Sequence, residues 1–277
     1  MLNRWIGITT LGAMAFANTA LFFHDLFPMW LAGEAPRSAA VHLPPGEGVR
    51  TQAGIFDSRG LRIGTTWTDT RATETRIRIF ARTNLRPVRI QGHVTPQVII
   101  RTNMLLDRQG VLDEIDMSVE GLGTTVRMKG ERFSTSDFAC QWQIGDQTGS
   151  FALPASATRS LGDALRPFDT LPDLFVGRVW RMELVNPLAH VTSRLSGQRF
   201  ATESVLVRVT AEEEISHGGE KVPVYRVEAN GLRVWVGLDG RVLRQEIDLP
   251  LFGLLTIIDE PFSSRAWYSG GTDLESE

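Results

Sequence analysis

Val98–Val119 reads VIIRTNMLLDRQGVLDEIDMSV, and the fold class follows from its pattern. Two apolar-rich runs, Val98–Leu106 and Val111–Val119, flank the turn Asp107–Gly110. In the second run Val111, Ile115, Met117 and Val119 fall on one side, and Glu114 and Asp116 on the other. A period of two belongs to a half-buried β-strand, because successive side chains point to opposite faces. The stretch therefore predicts a hairpin with one dry and one wet face.

The same punctuation extends in both directions. Upstream, Gly54–Asp57 turns at Ser58-Arg59-Gly60 into Leu61–Thr68, and Thr75–Ala81 alternates strongly. Downstream, Gly121-Leu122-Gly123 leads into Thr124–Lys129, and Phe138–Ile144 and Ser150–Leu153 flank Gly145–Gly149. Strands resume at Val179–Leu184, Ser204–Glu213, Val222–Glu228, Leu232–Val236, Val242–Leu249 and Leu254–Ile258. Asn230-Gly231 and Asp239-Gly240 supply the positive φ angles that tight hairpins need. Only Ser156–Arg166 reads as a helix, in a connection closed by Pro167, Pro172 and Gly177. Close-spaced strands without intervening helices predict an antiparallel meander rather than βαβ units. The expected class is mainly β: a large twisted antiparallel sheet or a duplicated half-barrel. The expected order is a first β half over 49–153, a connection over 154–177, a second β half over 178–262 and a polar tail over 263–277. That tail is expected to fray, with Trp267 and Tyr268 as its docking residues.

The N-terminus has a different character. Trp5–Phe23, WIGITTLGAMAFANTALFF, contains no charge and approaches the length of a bilayer-spanning helix. Arg4 precedes it and Asp25 and Glu34 follow, which predicts an N-inside topology with the body exported to the periplasm. Residues 1–32 read as a membrane anchor. A cleaved signal peptide is the competing reading, with small-x-small sites at Ala13-Met14-Ala15 and Ala15-Phe16-Ala17. Residues 33–48, with Pro36, Pro44, Pro45, Gly46 and Gly48, read as a linker.

Composition bounds the function. The chain has 277 residues, 42% hydrophobic and 22% charged, with net charge −3. That is enough for a substantial core. It offers no basic excess with which to neutralise nucleic-acid phosphates. One cysteine rules out an internal disulfide framework and a cysteine-based zinc site. No HExxH, acid-rich calcium loop, Walker A loop or Gly-x-Ser-x-Gly elbow occurs, so no metal and no cofactor is expected. Cys140 lies on an expected strand, in FACQWQI, and reads as a buried thiol rather than a nucleophile.

Two constellations remain. Trp67, Trp142, Trp180 and Trp235 all fall in expected strands. On one sheet face they would line a cavity for an apolar ligand; the same residues would equally fill a core. Asp107–Gly121 and Asp239–Gly253 also align at constant offset, so that Glu114-Ile115-Asp116 meets Glu246-Ile247-Asp248. The alignment suggests two related halves. Glu114 with Asp116, and Glu246 with Asp248, each place two carboxylates on one strand face, for cation binding or acid–base work. The plainer reading is a solvated sheet face.

Two segments carry a family resemblance. Ala53–Trp67, AGIFDSRGLRIGTTW, is similar to the opening of β domains that precede transglutaminase-like domains in bacterial envelope proteins. Trp235–Gly253, WVGLDGRVLRQEIDLPLFG, resembles a strand pair near the end of such domains. The leader followed by Phe27-Pro28-Met29-Trp30 also resembles single-anchored proteins of planctomycete type. The resemblance implies a twisted antiparallel sheet similar to lipoprotein-carrier or lipocalin-like folds. The catalytic domain of the transglutaminase-like proteins has no counterpart here, so no catalytic residue carries over. The expected function is a non-enzymatic, membrane-anchored envelope domain that binds an apolar ligand or a protein partner. A carboxylate-dependent hydrolase and a structural spacer or accessory subunit are the alternatives.

Overall fold

The computed structural model describes residues 32–33, 36, 39–87, 89–90, 93–94, 96–121, 123, 125–134, 137–154, 170–184, 203–249, 253–264 and 267. The expected anchor over Trp5–Phe23 and the expected helix over Ser156–Arg166 lie outside the described residues. Among the described residues no helix is long and apolar enough to cross a membrane.

Among the described residues the body is almost entirely β structure. Its strands are β1 (Gly48–Phe56), β2 (Arg62–Ala72), β3 (Arg76–Leu85), the short pair β4 (Arg89–Ile90) and β5 (His93–Val94), β6 (Val98–Asp107), β7 (Leu112–Glu120), β8 (Val126–Arg132), β9 (Asp137–Ile144) and β10 (Gln147–Pro154). The second series is β11 (Val179–Leu184), β12 (Glu203–His217), β13 (Glu220–Ala229), β14 (Leu232–Gly237), β15 (Val242–Leu249) and β16 (Gly253–Glu260). Fourteen of them form one sheet in the order β10-β9-β8-β7-β6-β3-β2-β1-β16-β15-β14-β13-β12-β11. Every neighbouring pair is antiparallel. The first series meanders outward from β1, and the second meanders inward to β16, which pairs with β1. The two expected halves therefore share a single sheet. β10 and β11, consecutive in the chain, are its two opposite edges.

One face is largely apolar. In the row Ile79-Met104-Ile115-Gly130-Cys140-Phe151, successive residues are cross-strand partners. On the far side, Trp180, Val207, Val227, Val234 and Leu232 belong to one buried cluster. Between them a band of threonines interrupts the apolar surface, with Thr83 donating to Thr66 at 2.8 Å. No second layer covers this face among the described residues, so the sheet must serve as its own second layer.

A tether shows that it does. Gly33 donates its N–H to Val179 O at 3.0 Å and so lies on the free edge of β11. Eight residues later, Val41 Cγ2 sits 2.9 Å from where a Cβ on Gly110 would stand, in the β6–β7 turn. Eight peptide steps span at most about 29 Å. In a flat sheet β11 and β6 are nine strand spacings apart, about 43 Å. The sheet is therefore rolled, with its apolar face inward.

The linker expected over 33–48 is described in part and lies against the sheet. Part of it forms a 3₁₀ turn (Ala39–His42), and Arg108 donates to Leu43 O at 2.9 Å. Pro and Gly broke the regular pattern there without preventing docking, because the sheet supplies partners for the backbone groups. The expected docking of Trp267 in the tail is seen. Ser263 N–H donates to Gln52 Oε1 at 3.1 Å, and Trp267 meets Phe80 edge-on at 5.7 Å. Aromatic contacts with Phe80 and Phe262 hold Trp267 there despite its polar neighbours.

The expected repeat takes a different register. Asp107 N–H bonds to Val111 O and Gly110 N–H to Asp107 O; Gly237 and Arg241, then Gly240 and Gly237, repeat both bonds. Asp107 is thus the counterpart of Gly237 rather than Asp239, and Glu114 that of Arg244. Asp57, Gly60 and Leu61 close the β1–β2 hairpin in the same way. The glycines Gly60, Gly110 and Gly240 have φ of 76°, 80° and 82°. The resemblance between Asp107–Gly121 and Asp239–Gly253 comes from a turn used three times. A shift of two residues preserves the facing of a strand, which is why the sequence alignment looked coherent at the wrong register.

Candidate functional site

The four tryptophans do not gather. Trp67 and Trp235 occupy the polar face. Trp67 donates Nε1–H to Gln52 Oε1 at 2.9 Å, and the same oxygen accepts from Ser263 N–H. Trp235 donates to Glu213 Oε1 at 2.6 Å, stacks under the Arg244 guanidinium at 4.8 Å, and packs with Val224 and Leu243 in a small separate cluster.

Trp142 and Trp180 occupy the apolar face, at opposite ends of the strand order. Trp142 on β9 pairs with Gly149 of the edge strand β10. A Cβ on Gly149 would lie 2.4 Å from the indole, so only glycine lets this ring lie flat on the edge strand. Trp180 on β11, the other edge strand, is fully buried. Its Nε1–H has no acceptor among the described residues. The Arg178 guanidinium lies 5.9 Å from its ring. Trp142 and Trp180 thus lie at the two ends of the strand order, one beside the edge strand β10 and one on the edge strand β11. Along β11, Gly33 takes up a position on the free edge. An unpartnered buried indole N–H loses about 1–3 kcal/mol of hydrogen bonding, and an acceptor on a bound molecule would restore it.

The acidic pairs lie on the polar face. Glu114 and Asp116 are exposed and border a hollow of ≈ 370 Å³ with Asn103, Lys129, Glu131 and Gln141. Lys129 Nζ stands 3.5 Å from Asp116. Glu246 is buried and held by Arg244 at 2.5 Å and Arg233 at 3.5 Å. Asp248, its strand neighbour, is exposed. Acid and base roles divide between two carboxyls when one sits in a drier setting than the other. Both Glu114 and Asp116 face water, and Glu246 is occupied by two guanidinium groups. Among the described residues no group of three or more His, Cys, Asp or Glu is arranged to hold a metal ion.

Cys140 is 1% exposed, and burial pushes its thiol up to about 12. Asp69 is held below its ordinary value of 3.8. Partial burial opposes its charge, but hydrogen bonds and charges from Arg71 and Arg50 outweigh it. The sequence reading missed Gly149 and Arg178. The first was visible as a Trp and a Gly placed symmetrically about the turn Gly145-Asp146; nothing in the sequence marked the second.

Comparison with known proteins adds little. No family model matches the chain, and no curated protein does. A solved structure, the beta-barrel-like protein of domain of unknown function DUF1849 from Brucella abortus, is similar at a TM-score of 0.40 and 11% identity. The match covers 77% of this chain and 94% of that one.

Proposed function

We propose that this protein is a non-enzymatic binding protein that takes the acyl chain of an amphiphile at the seam between β10 and β11. The observation that carries this reading is the fully buried Trp180 indole, on an edge strand of an apolar face, with its N–H lacking an acceptor among the described residues. An apolar chain supplies surface for the inward face, where burial is worth about 25 cal/mol per Å². A carbonyl or hydroxyl near its polar end accepts from Nε1. Trp142, lying flat over Gly149, forms the opposite wall. In the same proposal Trp5–Phe23 attaches the chain to the inner membrane, and the β body faces the periplasm.

Titration with a brominated fatty acid tests the site, since bromine quenches indoles in contact with the chain. Saturable quenching is expected in the natural protein, and its midpoint should move several-fold to higher ligand concentration in Trp180→Phe, which keeps an aromatic ring and removes the donor. Absence of quenching, or equal affinity in a Trp142→Ala/Trp180→Ala double variant, would overturn the seam as the site. The carboxylate-hydrolase reading rests on the hollow beside Glu114 and Asp116. It requires that Glu114→Gln/Asp116→Asn abolish a measurable hydrolysis.

A further inference from the structure

The polar face carries a second feature, unrelated to the seam. Cross-strand register places Arg82 opposite Arg101, Arg101 opposite Ser118, and Ser118 opposite Arg127, in one row across β3, β6, β7 and β8. Residues directly opposite in an antiparallel pair have Cβ atoms about 5 Å apart, and like charges there repel. Two guanidinium groups facing each other therefore need compensation. Arg101 has it, in Glu120 at 2.5 Å. Arg82 does not: it makes no ion pair with any described residue, and its Nε is buried without an acceptor.

The carboxylates nearest in register are already committed. Asp69 is shared by Arg50 and Arg71, Glu260 takes both terminal nitrogens of Arg62, and Asp116 faces Lys129. On its other flank Arg82 is opposite Trp67, which the docked Ser263 region covers. The row thus combines a half-buried arginine whose Nε lacks an acceptor, a neighbouring guanidinium, a hydroxyl and an exposed third arginine.

We propose that the row Arg82–Arg101–Ser118–Arg127 binds an oxyanion of the phosphate type. A guanidinium presents paired N–H groups that match two oxygens of a phosphate, and such charge-assisted bonds are among the strongest available to a surface site. The bound anion would bridge Arg82 and Arg101 and offset their repulsion. The same chemistry serves a free phosphate compound and an anionic lipid headgroup.

Both sources are tested with the whole chain at constant ionic strength. Inorganic phosphate is titrated by calorimetry, and co-sedimentation compares phosphatidylglycerol with phosphatidylcholine vesicles. Lipid binding is scored as the difference between a protein with the row intact and one without it, so that attachment through Trp5–Phe23 cancels. Removing one charged donor should weaken binding about tenfold in Arg82→Gln and measurably in Arg127→Gln. Arg208→Gln, on the distant strand β12, should leave it unchanged. Arg127 is exposed, so its variant keeps the test valid if Arg82→Gln fails to fold. Phosphate heat without a lipid difference identifies a free anion as the ligand; a lipid difference alone identifies a headgroup. No phosphate heat and no lipid difference, or binding that both arginine variants retain, would overturn the proposal.

Discussion

Cys140 illustrates what a single residue's setting does to its chemistry. Its thiolate is disfavoured because burial removes the solvent a charge needs. Native protein should therefore resist thiol reagents at neutral pH, and labelling should track global unfolding in urea. Rapid stoichiometric labelling of the folded protein would contradict that. Asp69 gives the opposite case. Its lowered pKa adds stability that is complete above the ordinary value of 3.8 and is lost as pH falls through the lowered one. Asp69→Asn should cost stability at neutral pH and flatten the acid limb of the urea midpoint plotted against pH. An acid limb of unchanged steepness would show that Asp69 does not contribute to it. At this scale the sequence was legible where burial alone decides, as for Cys140. The partners of Glu246 and Trp235 were not legible, because Arg233, Arg244 and Glu213 reach them only through strand pairing.

Among the elements, the hairpins were the most readable. Asp57-Ser58-Arg59-Gly60 and Asp107-Arg108-Gln109-Gly110 are local signals: the aspartate Oδ1 accepts two backbone N–H groups, and the glycine takes the left-handed conformation. They also support a graded prediction. Gly60 has open space around it, whereas a Cβ on Gly110 would press on Val41. Gly60→Ala should cost about 1–2 kcal/mol, the penalty for a side chain at positive φ. Gly110→Ala should cost more than Gly60→Ala, because it also pushes against the docked 39–43 segment. Equal losses in chemical denaturation would mean that this segment does not press on the turn in solution. Leu112→Ala, in the fully buried part of the same hairpin, should cost about 2–5 kcal/mol. The docked 39–43 stretch was the least readable element. Its contacts are tertiary, with Arg108 and Gly110, and leave no periodic trace in the sequence. Trp267 was legible as a docking aromatic, but its partner Phe80 was not.

The whole molecule depends on connections that no local pattern encodes. Alternating segments announced an antiparallel sheet, but they did not reveal that β1 pairs with β16 or that β10 and β11 become the two edges. The β1–β16 pairing joins residues some two hundred positions apart, such as Ile55 and Ile257. The roll is legible only from distance: Gly33 and Val41 are too close in the chain to reach both β11 and the β6–β7 turn across a flat sheet. The seam, and with it the proposed acyl-chain site, follows from that curvature. The most direct test is the separation of the two edge strands. Spin labels at Ser150→Cys on β10 and Arg181→Cys on β11 report it, with Cys140 replaced by alanine. Thirteen strand spacings in an open sheet would place the labels about 60 Å apart. A rolled fourteen-stranded sheet is about 30 Å across, so the account predicts a distance distribution centred below about 35 Å. A distribution centred near the open-sheet value would contradict it.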